Sequence, residues 1–156
     1  MKALVTYYSR TGTTDKLAKD IAARLACDID PIVSTVKWEG VTRWMACGRA
    51  GMKKELTELE PPKLDPAQYD LVIVGTPIWA GFTSAPTRTY LHENKGKFKR
   101  VAFFLTSGGD EHAKAFDDME AVAGQKPVAK LAVKARDLKA GDHAERAATF
   151  VAELGK

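Results

Sequence analysis

The sequence predicts an α/β fold in three layers, with a five-stranded parallel sheet between helices. Three observations predict it. Apolar runs alternate with amphipathic stretches along the chain, the pattern of strands that each lead into a crossover helix. Two of the apolar runs carry the marks of sheet edges, which limits the strand orders available. The 156 residues suit a single domain, 1–156, large enough to bury about two-thirds of the surface its unfolded chain exposes.

The first strand is expected over residues 3–8, followed by a helix whose Leu17, Ile21, Ala22 and Leu25 share one face. The second strand, 29–35, contains Pro31, which cannot donate to a ladder and so belongs at an edge. A second helix places Trp44, Cys47, Gly48, Gly51 and Met52 toward the core, and Pro61, Pro62 and Pro66 make 58–68 a connecting loop. The third strand, 71–75, precedes a helix that Ser84 caps and Pro86 starts, because a missing N–H costs nothing in a first turn. The fourth strand, 101–106, is followed by a helix with Phe116, Met119 and Val122 on its inner face. In the fifth strand, 128–134, Lys130 and Lys134 alternate with Leu131 and Val133, as at an edge. A last helix buries Ala147, Phe150, Val151 and Leu154. With strands two and five at the edges and right-handed crossovers, the simplest order is 2-1-3-4-5, and ligands are expected where strands one and three end.

Composition narrows the function classes. Apolar residues are 45% and charged residues 28%, an ordinary mix for a soluble domain, and no run approaches the roughly 20 apolar residues of a membrane span. The amino terminus lacks the apolar core and cleavage site of a signal peptide, so a cytoplasmic location is expected. Cys27 and Cys47 fall in helical patterns without metal spacing and read as reduced structural thiols. The formal charge of +4 is spread without a basic run, which argues against nucleic acid. His92, His112 and His143 lack ligand spacing and read as surface residues, with His112 a minor candidate for proton transfer.

The turn after the first strand, YSRTGTT, carries the strongest functional signal. Unsatisfied N–H groups at a helix start attract an anion, Gly12 allows a tight curve, and Ser9, Thr11, Thr13 and Thr14 offer hydroxyl donors beside the charge of Arg10. Competing anion sites fail on specific grounds. There is no glycine-spaced loop followed by lysine, no three-glycine dinucleotide fingerprint, no acidic magnesium site and no cysteine nucleophile in the turn. A monophosphate held by neutral donors remains.

At these residues the chain resembles the flavodoxin-like family, of the short-chain type. YYSRTGTTDKLA is similar to its phosphate loop, with Ser9, Thr11, Gly12 and Thr14 matching a T/S-x-T-G-x-T turn. LVIVGTPIWAG resembles its second flavin loop and VAFFLTSGGDE its third, so the likeness spans nearly the whole chain. The resemblance implies a non-covalently bound flavin mononucleotide, FMN. It assigns Pro77, Ile78, Trp79, Ala80 and Gly81 to the flavin's wall and N5 edge, with Trp79 a candidate to stack or pack against the ring. Thr106, Ser107, Gly108, Gly109 and Asp110 meet its pyrimidine end. Many relatives stack an aromatic residue from this third loop on the outer ring face, and GGDEH has none. That face is either open to a substrate or covered by Trp38, Trp44 or Phe82, although ordinary packing accounts better for those three.

The functional expectation is electron transfer with a redox partner protein or a small-molecule acceptor. The alternative is a small NAD(P)H-dependent oxidoreductase acting on quinone-like acceptors. Arg10, Arg43, Arg49, Lys53 and Lys54 place positive charge on the cofactor side, which stabilises the reduced anionic flavin and favours acidic partners. For that enzyme the short chain leaves little material for a dedicated substrate pocket, which a homodimer would complete across subunits.

Overall fold

The computed structural model describes residues 1–110 and 112–155. Strands β1 (Ala3–Tyr7), β2 (Asp28–Pro31), β3 (Leu71–Trp79), β5 (Val101–Ser107) and β6 (Lys130–Lys134) form a parallel sheet in the order β2-β1-β3-β5-β6. The short β4 (Phe82–Thr83) pairs antiparallel with the end of β3. With that hairpin set apart, the order is the expected one, and Pro31 and the lysine-bearing strand lie at the two edges.

Successive residues of a strand point to opposite faces. Val72 and Val74 of β3, with Phe103 and Leu105 of β5, pack toward α2 (Trp44–Met52), α3 (Ala85–Glu93) and α4 (Ala113–Ala123). Leu71, Ile73 and Phe104 pack toward α1 (Thr13–Leu25) and α6 (Ala144–Leu154), against Leu17, Ile21, Ala147 and Phe150. Phe103 and Phe104 are fully buried neighbours, one in each core, each contributing roughly 1.5–3 kcal/mol by burial. Gly75 lies under the Phe104 ring, where a Cβ would not fit.

Several boundaries differ from expectation. Strand β2 ends at Pro31, and 33–35 leaves the sheet to meet 58–60 instead, with Thr35 N donating to Glu58 O at 3.0 Å and Glu60 N to Val33 O at 2.8 Å. Strand β3 runs on to Trp79, because Thr76 and Pro77 keep register with Leu105 and Thr106. Strand β6 starts at Lys130, with Val128 exposed. A six-residue helix, α5 (Ala135–Ala140), precedes α6 without having been anticipated. Cys27 lies beyond the left-handed cap at Ala26 and outside any helix.

The inner face of α2 is also corrected. Cys47, Ala50 and Gly51 are buried, whereas Trp44 and Met52 point outward. The cause is close approach: a Cβ at Gly51 would run into the backbone of Trp79, so the glycine side of α2 is the side pressed on the sheet. His143 is buried rather than superficial, 3.3 Å from Asp20. No described helix is long and apolar enough to cross a membrane, and no group of three or more His, Cys, Asp or Glu among the described residues is placed to hold a metal.

Candidate functional site

Strands β1 and β3 are adjacent, but their crossover helices cover opposite faces of the sheet, which leaves a crevice at their carboxyl ends. The turn from Tyr8 to Gly12 opens there. Ser9 Oγ accepts from the N–H groups of Gly12 and Asp15, both at 3.1 Å, and so braces the turn while its own O–H stays free to donate. Gly12, at φ 96°, precedes the first residue of α1, and no atom stands within 4 Å of where its Cβ would be. The N–H groups of Thr11, Thr13 and Thr14 take no partner among the described residues. Thr14 Oγ1 lies 2.8 Å from Thr106 Oγ1, both buried, so these hydroxyls tie the first turn to the end of β5. Arg10 is likewise engaged: its Nε and Nη2 donate to the carbonyls of Trp38 and Gly40 at 2.8 and 2.6 Å, clasping the 38–40 segment.

The expected second loop is a hairpin. Ile78 pairs with Thr83 and Trp79 with Phe82, and Ala80 and Gly81 make the turn at φ 52° and 87°. Two positive φ values match a type I′ turn, which suits the twist of a hairpin, with Ala80 carrying the strain that Gly81 avoids. The base of the hairpin is pinned by hydroxyls: Ser84 N donates to Thr76 Oγ1 at 3.0 Å, and Thr87 Oγ1 donates to Gly75 O at 3.0 Å. A buried ion pair grips it from below. Arg88 Nη1 and Nη2 meet Asp118 at 2.7 and 2.6 Å, Thr83 N donates to Asp118 at 3.3 Å, and Thr83 O accepts from Arg88 at 3.4 Å.

This hairpin decides the fate of Trp79. The residue is 4% exposed, its ring 5.9 Å from Tyr8 and 5.0 Å from Trp38, so it packs in the core while still lining the cleft. The exposed aromatic on the cleft wall is Trp44 instead, at 69%. Trp44, Met45, Gly48, Arg49 and Met52 of α2 face Pro77, Ile78 and Ala80 across a cleft of about 580 Å³. Arg10, Thr11, Pro77 and Ile78 also line an adjoining recess with Thr13, Thr14, Thr106, Ser107 and Gly108, so the phosphate-type turn and the α2 cleft are continuous. Of the expected site residues, Ser9, Gly12, Gly81, Gly109 and Asp110 stand outside both linings. In the third loop Ser107 Oγ donates to Gly109 O at 2.7 Å, and Asp110 pairs with Lys134 of the edge strand, which holds its carboxyl below the usual range.

The sequence reading offered Trp44 as one cover for the ring and put Arg49 on the cofactor side, but it gave Met45 and Cys47 no part in the cleft and turned Gly48 and Met52 toward the core. The signal for the rest of the wall was a helix carrying Trp44 and Met45 side by side, too many large apolar groups for a single buried stripe. Cys47 also lines the cleft. Burial pushes its thiol up while Arg10 and Arg43 pull it down, and the net rise keeps it protonated at neutral pH.

Fold and crevice together define a doubly wound α/β protein with a donor-lined crevice at its topological switch point. The chain matches the flavodoxin family model over residues 2–132 and belongs to that family. Among solved structures it is similar to a flavoprotein of Lactobacillus acidophilus NCFM in complex with FMN, at 23% identity and TM-score 0.74, covering 89% of this chain and 97% of that one. It is also similar to an NADH:FMN oxidoreductase, EMOB, in its apo form, at 19% identity and TM-score 0.62, covering 99% and 90%. A third is a flavodoxin, WrbA-like protein from Agrobacterium tumefaciens, at 16% identity and TM-score 0.57, covering 96% and 98%. Comparison with the curated proteins gives no match.

Proposed function

We propose that this chain binds FMN without a covalent link and transfers electrons through it to a partner protein or small acceptor. The carrying observation is the set of unpartnered N–H groups at Thr11, Thr13 and Thr14, opening into the cleft walled by α2 and the β3-β4 hairpin. A phosphate monoester fits this donor set: it offers several acceptor oxygens, and a helix start favours its charge. The turn would hold the phosphate through these N–H groups and the hydroxyls of Ser9, Thr11 and Thr13. Pro77, Ile78 and Ala80 on one side and Thr106, Ser107 and Gly108 on another would position the ring system, and Trp44 would shield it from water. When bound, FMN supplies the one- and two-electron chemistry, and the protein sets orientation, access and electrostatics. The cleft volume lies within the roughly 300–1,000 Å³ of small-molecule sites.

The purified protein is expected to be yellow and to release FMN on denaturation. Thr13→Asp sets a carboxylate beside the phosphate at a position where helices accept acids. It should retain the fold and bind FMN at least about a hundredfold more weakly, since like charges in contact cost several kcal/mol. A protein that neither carries nor takes up FMN would overturn the reading.

The oxidoreductase alternative draws support from the width of the cleft and the exposure of Trp44, which leave room for a second flat molecule. Rapid bleaching of the flavin by NADH or NADPH alone would favour the enzyme, and inertness would favour the carrier.

A further inference from the structure

The segment that walls the cleft on the α2 side carries a local excess of positive charge. Residues 36–54 contain five of the 24 basic side chains, Lys37, Arg43, Arg49, Lys53 and Lys54, and one of the 20 acidic ones, Glu39, which leaves 19 of each elsewhere. The segment's net charge is therefore +4. The same segment presents Val41 (93% exposed), Met45 (79%), Trp44 and Met52 to solvent, and it forms one wall of the cleft. Large apolar groups exposed together inside a charged rim mark an interaction surface.

We propose that this face docks an acidic protein surface with an apolar centre, the electron-exchange partner of the bound cofactor; the assignment of that role rests on the flavin reading. Charge selects the occupant. A second copy would bring +4 against +4, and a basic partner would be repelled in the same way. Nucleic acid would need stacking platforms, yet Trp44 is the one exposed aromatic of the segment, while Val41, Met45 and Met52 are aliphatic groups suited to repacking against protein. The patch also borders the cleft, so a protein seated on it would lie beside the redox group. A small apolar centre with a screened charged rim is the design of a transient complex, below about 1,200 Å² of buried surface.

The test titrates ¹⁵N-labelled, flavin-loaded protein with an acidic plant-type ferredoxin, and separately with basic cytochrome c, anionic lipid vesicles and a single-stranded oligonucleotide. With ferredoxin, shifts are expected at the Trp44 indole and at Arg49 to Lys54, fading as ionic strength rises from about 10 mM to about 0.5 M and the Debye length shrinks from about 30 Å to a few Å. Lys53→Glu with Lys54→Glu should weaken ferredoxin binding at least about tenfold, and Lys53→Gln with Lys54→Gln by a smaller factor. Shifts centred elsewhere, salt-independent binding, equal binding of cytochrome c, or tighter binding of vesicles or oligonucleotide would each overturn the proposal. Flavin content is read from the absorbance of the same samples. A colourless protein that still binds ferredoxin on this face refutes the flavin reading alone, and a yellow protein that does not bind refutes the docking face alone.

Discussion

Tyr7 and Asp15 are linked across the hydroxyl-rich turn that they flank. The Tyr7 hydroxyl donates to the Asp15 carboxylate, and Lys19 pairs with the same group at 2.9 Å. Burial tends to raise the Asp15 carboxyl, but the bonds from Tyr7 and Lys19 outweigh it and hold the carboxyl below its ordinary value. Burial first, and then Asp15, push Tyr7 upward. The signs differ. The depressed Asp15 contributes stability that is present above the usual carboxylate value of about 3.9 and lost as pH falls through the folded value. The raised Tyr7 contributes stability that is present below about pH 10 and lost as pH climbs past it. Tyr7→Phe should cost about 1–2 kcal/mol and move the Asp15 titration upward, as followed by carboxyl NMR. An unmoved titration would assign the shift to Lys19. At this scale the sequence was partly legible: the hydroxyl-rich turn was found, but the partners that occupy Thr14 and Arg10 come from β5 and the 38–40 segment, which pattern cannot bring together.

Among the elements, the β3-β4 hairpin carries most of what was missed. Pro77 inside an apolar run reads as the start of a loop, yet it sits in register with Thr106, and the strand continues for two more residues. The two-residue β4 is too short to show alternation. Its anchor, the Arg88–Asp118 pair, joins helices 30 residues apart in sequence. Asp118→Asn breaks the pair and leaves a buried guanidinium uncompensated, for an expected loss of about 3–5 kcal/mol in urea denaturation. Arg88→Met combined with Asp118→Leu should recover much of it, because the apolar pair leaves no buried charge. A single-mutant loss under about 1 kcal/mol would show that the hairpin is held by the Thr76, Ser84 and Thr87 hydroxyls instead.

Across the whole molecule, charge and cofactor reading meet. Cations about 10 Å from a reduced anionic flavin stabilise it by roughly 0.4 kcal/mol each in a water-like dielectric. Replacing Lys53 and Lys54 by Gln should therefore lower the two-electron midpoint potential of the bound flavin by on the order of 10 mV per charge, with the difference shrinking at high salt. An unchanged potential at low salt would remove this electrostatic account.

The amino-acid sequence by itself determined the layer architecture, the strand order and the place of the crevice, because periodicity, edge prolines and lysines, and turn chemistry are local properties that parallel sheets combine in few ways. Only the tertiary structure decided which cleft tryptophan is exposed and which donors stay free. Those outcomes depend on contacts such as Gly51 against the Trp79 backbone, where the absence of one Cβ brings α2 onto the end of β3, with Trp79 in the core and Trp44 on the cleft wall.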